Sequence, residues 1–230
     1  MKFLKKFNTE EEYEAYLNSE DFVRPCVARI VEDKAVRYKK RYKHIVYVQH
    51  IDGKLYTKEQ WTQNGYANEL ANGVAVITNE AQFVIAKKDI GRPYWSNVVS
   101  SEQTLIEGVF TTTDKKTAMT DFAGISNTQK LITIDECRAA ISCNNYAFPN
   151  GSNGYLPAAG EWNIAYQNKE AVDEIITLIG GDSIQGDHWS STQYGATKAW
   201  CMRWVNGMIY DQSKAEPNLY TRAFCALNID

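Results

Sequence analysis

The feature that most restricts the fold is a change of hydrophobic period along the C-terminal third of the chain. Val172, Ile175, Ile176 and Ile179 fall at i, i+3, i+4 and i+7, the spacing of one helix face. Gly180–Gly181 closes that stripe as a C-cap. Beyond residue 186 the period becomes two. In "AWCMRWV", Trp200, Met202 and Trp204 alternate with Cys201, Arg203 and Val205, and Asn206–Gly207 turns the chain back into "MIYD". The last run, "TRAFCAL", alternates in the same way. A helix-period stripe followed by strand-period runs within one module predicts an α+β fold.

The rest of the chain fits that class. Thr9 is a helix N-cap with Glu12 at N3, and Tyr13, Tyr16 and Leu17 share one face of the predicted helix. "CVARIVEDKAVRYK" reads as a short hairpin. Asp52–Gly53, between two β-rich runs, predicts a two-residue type I′ hairpin. The polar stretch "WTQNGYANELAN", Trp61 to Asn72, reads as a linker. The expected organisation is a helix-plus-hairpin module over 1–65 and a second module over 73–230, opening with the strand "GVAVIT". Residues 91–130 read as loops with short strands. "TIDECRAAISCNNY" reads as a helix with Ile134, Cys137 and Ile141 on one side, and Pro157 is placed to start another.

Charge divides the same way. Residues 1–60 carry 13 Lys and Arg against 10 Asp and Glu, whereas residues 61–230 carry 12 against 18. The run "RYKKRYK", Arg37 to Lys43, is expected to be a solvated strand edge or a docking patch. No nucleic-acid partner is expected, since the remainder lacks a basic face. No stretch approaches the ~18 apolar residues of a membrane span, and the N-terminus has no apolar core of signal-peptide length. No membrane partner is expected, and synthesis in a cytoplasm is. The five cysteines, Cys26, Cys137, Cys143, Cys201 and Cys225, show no CxxC spacing and read as reduced, buried thiols.

The stretch "GDHWSSTQYGATKAWCMRW" gathers the candidates for chemistry. A serine hydrolase would need Asp187 to orient His188 toward Ser190 or Ser191. Neighbouring strand residues point to opposite faces, so the run does not make a triad; His188 is expected in a loop, with the serines bonded to backbone. The histidines are His44, His50 and His188, with no metal-ligand spacing, and His44 and His50 are expected to face solvent. "EPN", Glu216 to Asn218, supplies too few oxygens for calcium. No catalytic residue, metal or cofactor is expected. The aromatic side chains remain: at least two of Trp189, Trp200 and Trp204 should be core, while Tyr194 sits among Ser, Thr, Gln and Gly, a composition suited to recognition. The candidate ligand-binding residues are Trp189, Ser190, Ser191, Tyr194, Trp200 and Tyr210.

The order and spacing of "DFAGISNT" (121–128), "GYLPAAGEWNIAYQNK" (154–169), "IGG" (179–181), "HWSST" (188–192), "AW" (199–200), "NG" (206–207) and "RAFCAL" (222–227) give residues 73–230 a resemblance. They resemble bacterial and phage domains of the C-type-lectin fold, in the branch that also holds formylglycine-generating enzymes and the variable proteins of diversity-generating retroelements. The resemblance implies that "GVAVIT" and "TRAFCAL" pair as first and last strands. It also implies that the "LP…GEW" helix packs beneath the sheet and that the loops bearing "WSS" lie near a ligand-facing surface. Many relatives have Ser where Ala158 stands, a lost cap of about 1 kcal/mol that Pro157 and packing are expected to offset. "FNTEEEYEAYLNSEDFVRPCVARIVEDKAVRY" and "DGKLYTKEQW" make residues 1–65 resemble an N-terminal module of virion proteins of tailed phages, the crAss-like group among them. Together the resemblances imply a non-enzymatic virion component: a head fibre, capsid decoration or tail appendage. Residues 1–65 would meet other virion proteins, and the lectin-like domain would meet a host-surface glycan or protein. A homo-oligomer, with a trimer as first expectation, suits such a part. Two alternatives share the fold. One is a retroelement-diversified or cell-surface binding protein. The other is an enzyme of the formylglycine-generating type using Cys201 and Cys225, which the absence of the enzyme's downstream Gly/Asn/Trp-rich and Arg-rich elements disfavours.

Overall fold

A computed structural model describes residues 4–7, 9–17, 26–32, 35–41, 46–98 and 103–227. The chain forms two compact units, Met1–Ile45 and Val46–Asp230. It is mixed α+β, as the periodicities require. Among the described residues no helix is long and apolar enough to cross a membrane.

The first unit contains β1 (Leu4–Phe7), α1 (Glu10–Leu17), β2 (Cys26–Glu32) and β3 (Ala35–Arg41), in sheet order β1-β2-β3. Thr9 Oγ1 accepts from Glu12 N at 3.1 Å, so the expected cap forms. The hairpin is antiparallel, closing at Glu32 opposite Ala35. β1 pairs parallel to β2; its four residues are too few for a period to be read from the sequence. Arg37–Arg41 occupy β3, an outer strand. Tyr42, Lys43 and His44 lie outside the described residues.

The second unit begins with β4 (Val46–His50), β5 (Leu55–Tyr56), α2 (Lys58–Gln63) and a 3-10 turn (Asn68–Leu70). It continues with β6 (Ala71–Ile77), β7 (Gln82–Ile85), α3 (Lys115–Ala118), α4 (Gly124–Leu131), α5 (Arg138–Asn144), α6 (Ala159–Gln167) and α7 (Lys169–Leu178). It ends with β8 (Asp187–Gln193), β9 (Lys198–Arg203), β10 (Met208–Ser213) and β11 (Phe224–Ala226). One antiparallel sheet has the order β11-β7-β6-β4-β5, the other β10-β9-β8.

The structure corrects several expectations. The boundary falls after Ile45, not between 61 and 72, because β4 pairs with β6 and buries Val46, Tyr47 and Val48 in the same sheet. The polar "linker" holds α2, capped by Thr57 and Gln60 and pinned by the buried Trp61. Trp61 packs among His50, Tyr56 and Tyr66, so His50 is half-buried and bonded to Asp52 Oδ1 at 2.8 Å. The β4–β5 loop has three residues: His50 N donates to Lys54 O, Gly53 N donates to His50 O, and Gly53 takes φ +86°. That is a type I turn with a glycine bulge in place of the two-residue I′ turn. Finally, the last strand pairs with β7, one strand away from β6, with Phe224 opposite Ile85.

The core lies where α6 and α7 pack against strands of the two sheets. The stripe Val172, Ile175, Ile176 and Ile179 is buried as its spacing predicts. Trp162 of α6 meets Phe224 at 4.9 Å between ring centres, and Phe224 stacks on Phe83 at 4.7 Å. Pro157 does not enter the helix: α6 starts at Ala159 behind an extended Ala158, and Asn168 separates α6 from α7. Among the described residues of 91–130 are the short helices α3 and α4 and isolated bridges, Gly91 to Thr221 and Thr111 to Gln193, in place of the expected short strands.

Candidate binding face

β8 carries the sequence "DHWSSTQ", and nearly every side chain on it is consumed by the interior. Ser190 Oγ donates to Trp200 O at 2.7 Å, and Ser191 Oγ accepts from Asn127 Nδ2 at 3.2 Å. Thr192 Oγ1 accepts from Ala159 N at 2.9 Å and donates to Asp121 Oδ2 at 2.6 Å. Gln193 accepts from Ile106 N and from Lys214 Nζ and donates to Ile106 O and Thr111 Oγ1. Three tryptophans tie the irregular segment that precedes α3 to the sheet. Trp189 donates its indole N–H to Pro93 O, Trp95 to Ser190 O, and Trp200 to Thr112 O. Buried backbone carbonyls of a loop need such partners, so this stretch staples a long loop to the sheet.

Trp189, Ser190, Ser191 and Trp200 are therefore buried, which corrects their assignment to a ligand-facing surface. Alternation along a half-buried strand would leave one face wet; in this fold helices cover one side of β8 and β9 and the loop covers the other. Tyr194 and Tyr210 remain half-exposed. Tyr194 sits edge-on to Trp200 at 5.2 Å, with Lys198 Nζ 5.6 Å above its ring and Lys198 paired to Asp211 at 2.6 Å. Tyr210 lies opposite Cys201 in register, and Asp211 opposite Trp200. Tyr194 and Tyr210 thus belong to opposite faces of the β8–β10 sheet, so the six residues do not converge on one patch.

Beside Tyr210, Arg203 lies 5.1 Å from the ring and grips Asp187 through both carboxylate oxygens, at 2.7 and 3.1 Å. These bonds hold Arg203 above its ordinary value. Burial works to raise Asp187, but the bond from Arg203 prevails and lowers it.

His188 is on β8, not in a loop, and is fully buried. Its Nε2 donates to Asp89 Oδ1 at 3.0 Å, and Arg222 Nε donates to the same oxygen at 2.6 Å. Burial lowers His188 and keeps it neutral; Nδ1 then has no partner. Burial also acts to raise Asp89, but the bonds from His188 and Arg222 outweigh it. His188 thus serves a buried ion pair, and Asp187 serves Arg203, leaving the two serines outside both arrangements.

Beneath α6, Glu161 Oε2 accepts from Ala158 N at 2.7 Å and Oε1 accepts from Tyr155 OH at 2.9 Å. Burial pushes its carboxyl up to about 8. A Cβ on Gly124 would lie 2.2 Å from Glu161 Oε2, so only glycine fits where α4 passes. Lys214, also buried, has Gln193 Oε1 at 2.8 Å and the Trp95 ring at 4.5 Å; burial pushes it down to about 8.

Cys201 and Cys225 lie on β9 and β11, in different sheets. Cys201 Sγ donates to Tyr210 O, and burial raises both thiols, Cys225 to about 12. The carboxylate of Glu216 turns back on Asn218 N at 3.1 Å. Among the described residues no three His, Cys, Asp or Glu side chains converge as a metal site. An open depression of about 340 Å³ at the α6–α7 junction is lined by Gln167, Asn168, Glu170, Ala171 and Glu174, none of them a predicted site residue. No family model, curated protein or solved structure matches the chain.

Sequence reasoning does not find Asp89, Arg222, Gln193, Lys214 or the Asp187–Arg203 pair. Asp89 and Arg222 are 133 residues apart and no local pattern joins them. Asp187 and Arg203 close the ends of one hairpin, a cross-strand charge pair that period-two register could have revealed.

Proposed function

We propose that this chain is a non-enzymatic structural protein of a tailed-phage virion. Its second unit is a C-type-lectin-like domain that adheres to the host surface, and its first unit, residues 1–45, docks to the particle. The observation that carries the passive reading is the fate of "HWSST". Ser190 and Ser191 are buried and bonded, His188 serves the Asp89–Arg222 pair, and the buried thiols are raised away from the reactive thiolate. The side chains that reach solvent, Tyr194 with Lys198 and Asp211, and Tyr210 with Arg203 and Asp187, suit contact. The virion assignment is supported by the resemblance of both modules to phage proteins.

Binding of the full chain to host cells tests the adhesive part. Tyr210→Ala is expected to reduce retention several-fold while the thermal midpoint stays within a few degrees. Retention unchanged in both Tyr210→Ala and Tyr194→Ala chains would contradict it.

A further inference from the structure

Among the described residues of the second unit, β10 is the long sheet edge left open. The outer side of β8 is covered: Trp189 N donates to Tyr220 O, Ser191 N to Pro157 O and Gln193 N to Phe110 O. Phe224 of β11 exchanges two backbone bonds with Tyr155, and β5 has only two residues. β10 is an outer strand of six residues, paired to β9 in unbroken register. Lys214 N donates to Thr197 O, so the alternation of an antiparallel ladder turns Met208, Tyr210 and Gln212 toward β9 and Ile209, Asp211 and Ser213 outward. Ser213 N is answered by the Gln212 side chain. Among the described residues nothing beyond β9 bonds the backbone of Ile209 or Asp211. Open edges are commonly blunted by Pro, Lys or a bulge; "MIYDQS" has none of these. Its one charge, Asp211, is already paired with Lys198 at 2.6 Å.

We propose that β10 is the interface between two copies of this chain, each offering its edge to the other in antiparallel order. A two-fold axis normal to the sheet sets one residue of the strand opposite itself. Centring on Asp211 would face like charges across the axis, which is destabilising. Centring on Tyr210 brings the two tyrosines together, sets Met208 opposite the partner's Gln212, and lets Ile209 and the partner's Asp211 satisfy each other's outward N–H and C=O. Because the strand carries no other charge, two identical edges meet without repulsion. Asp187, Arg203 and Tyr210 share one face by register, so the pairing sets two copies of that cluster side by side. The inference goes beyond the adhesive reading and does not depend on it. It also differs from the trimer that the sequence suggests, since one such edge per chain closes at two copies.

Sedimentation of the full chain over about 1–100 µM tests it, with hydrogen exchange on the same samples. Expected are a monomer–dimer equilibrium and amides of Ile209 and Asp211 that exchange at least about tenfold more slowly as the dimer forms. A chain with Met208→Lys and Gln212→Lys, and another with Met208→Glu and Gln212→Glu, should each dimerise at least about tenfold more weakly, and an equimolar mixture should recover the association. A wild-type chain that stays monomeric across that range overturns the proposal. So does an assembly in which those two amides exchange as freely as in the monomer. Charge variants with wild-type circular dichroism that dimerise like wild type, or whose mixture associates no better than either alone, also overturn it. A monomeric wild-type chain that still binds host cells leaves the adhesive reading standing.

Discussion

At the scale of residues, the clearest case is the start of α6. The sequence shows that Ala158 lacks the oxygen of a serine cap, a deficit of about 1 kcal/mol. Pro157 is the remedy the sequence suggests; the structure supplies Thr192, whose Oγ1 reaches across from β8 to Ala159 N, 33 residues away in the chain. The same hydroxyl satisfies the buried Asp121. Thr192→Val keeps the shape and removes both bonds. It is expected to cost about 1–3 kcal/mol, because buried polar groups are left without partners. Thr192→Ser should recover most of that loss. Urea unfolding of the three chains checks it, and a Val chain as stable as wild type would remove Thr192 from this role. No local rule could reveal the pairing, since it depends on where β8 passes the helix.

At the scale of elements, the sequence is most legible where a period runs long. The α7 stripe is buried as read, and the β9–β10 hairpin forms, though β9 ends at Arg203 and the connection runs from Trp204 to Gly207 in place of a turn at Asn206–Gly207 alone. The cap of α1 and the β2–β3 hairpin are legible from local chemistry. Illegible are elements whose burial comes from elsewhere. α2 looks polar because a single tryptophan anchors it, and β4 reads as part of the first module until β6 pairs with it. Of the candidate site residues, Tyr194 and Tyr210 reach solvent, but the "WSS" side chains face inward because segments 90–98 and 103–113 pack on a sheet face that alternation alone would leave open. The covering of α6 has a pH consequence. Glu161 is pushed up to about 8 from an ordinary 4.5, so the folded chain binds the proton more tightly than the unfolded one. Its stabilising contribution is complete below about 4.5 and is lost as pH rises through about 8. His188, lowered from 6.5, acts in the opposite sense in the acid part of that range. The difference between wild type and Glu161→Gln isolates the carboxyl. The wild-type chain is expected to lose stability relative to the variant between about pH 5 and pH 8, read from urea midpoints; a constant difference would mean that Glu161 is ionised throughout.

At the scale of the whole molecule, two units of opposite charge balance divide the chain at Ile45. The second devotes Trp95, Trp189, Trp200 and buried polar side chains such as Gln193 to fixing irregular segments on a sheet. Such an arrangement spends its reactive-looking residues on rigidity, which favours a preformed contact surface. The proposed role makes the chain a particle component present in many copies, with that surface turned toward the host. Mass spectrometry of purified virions, with this chain quantified against the major capsid protein, tests that role most directly. Peptides from both units are expected at tens of copies or more per particle. Virions that lack the chain, in a lysate where it is abundant, would contradict it.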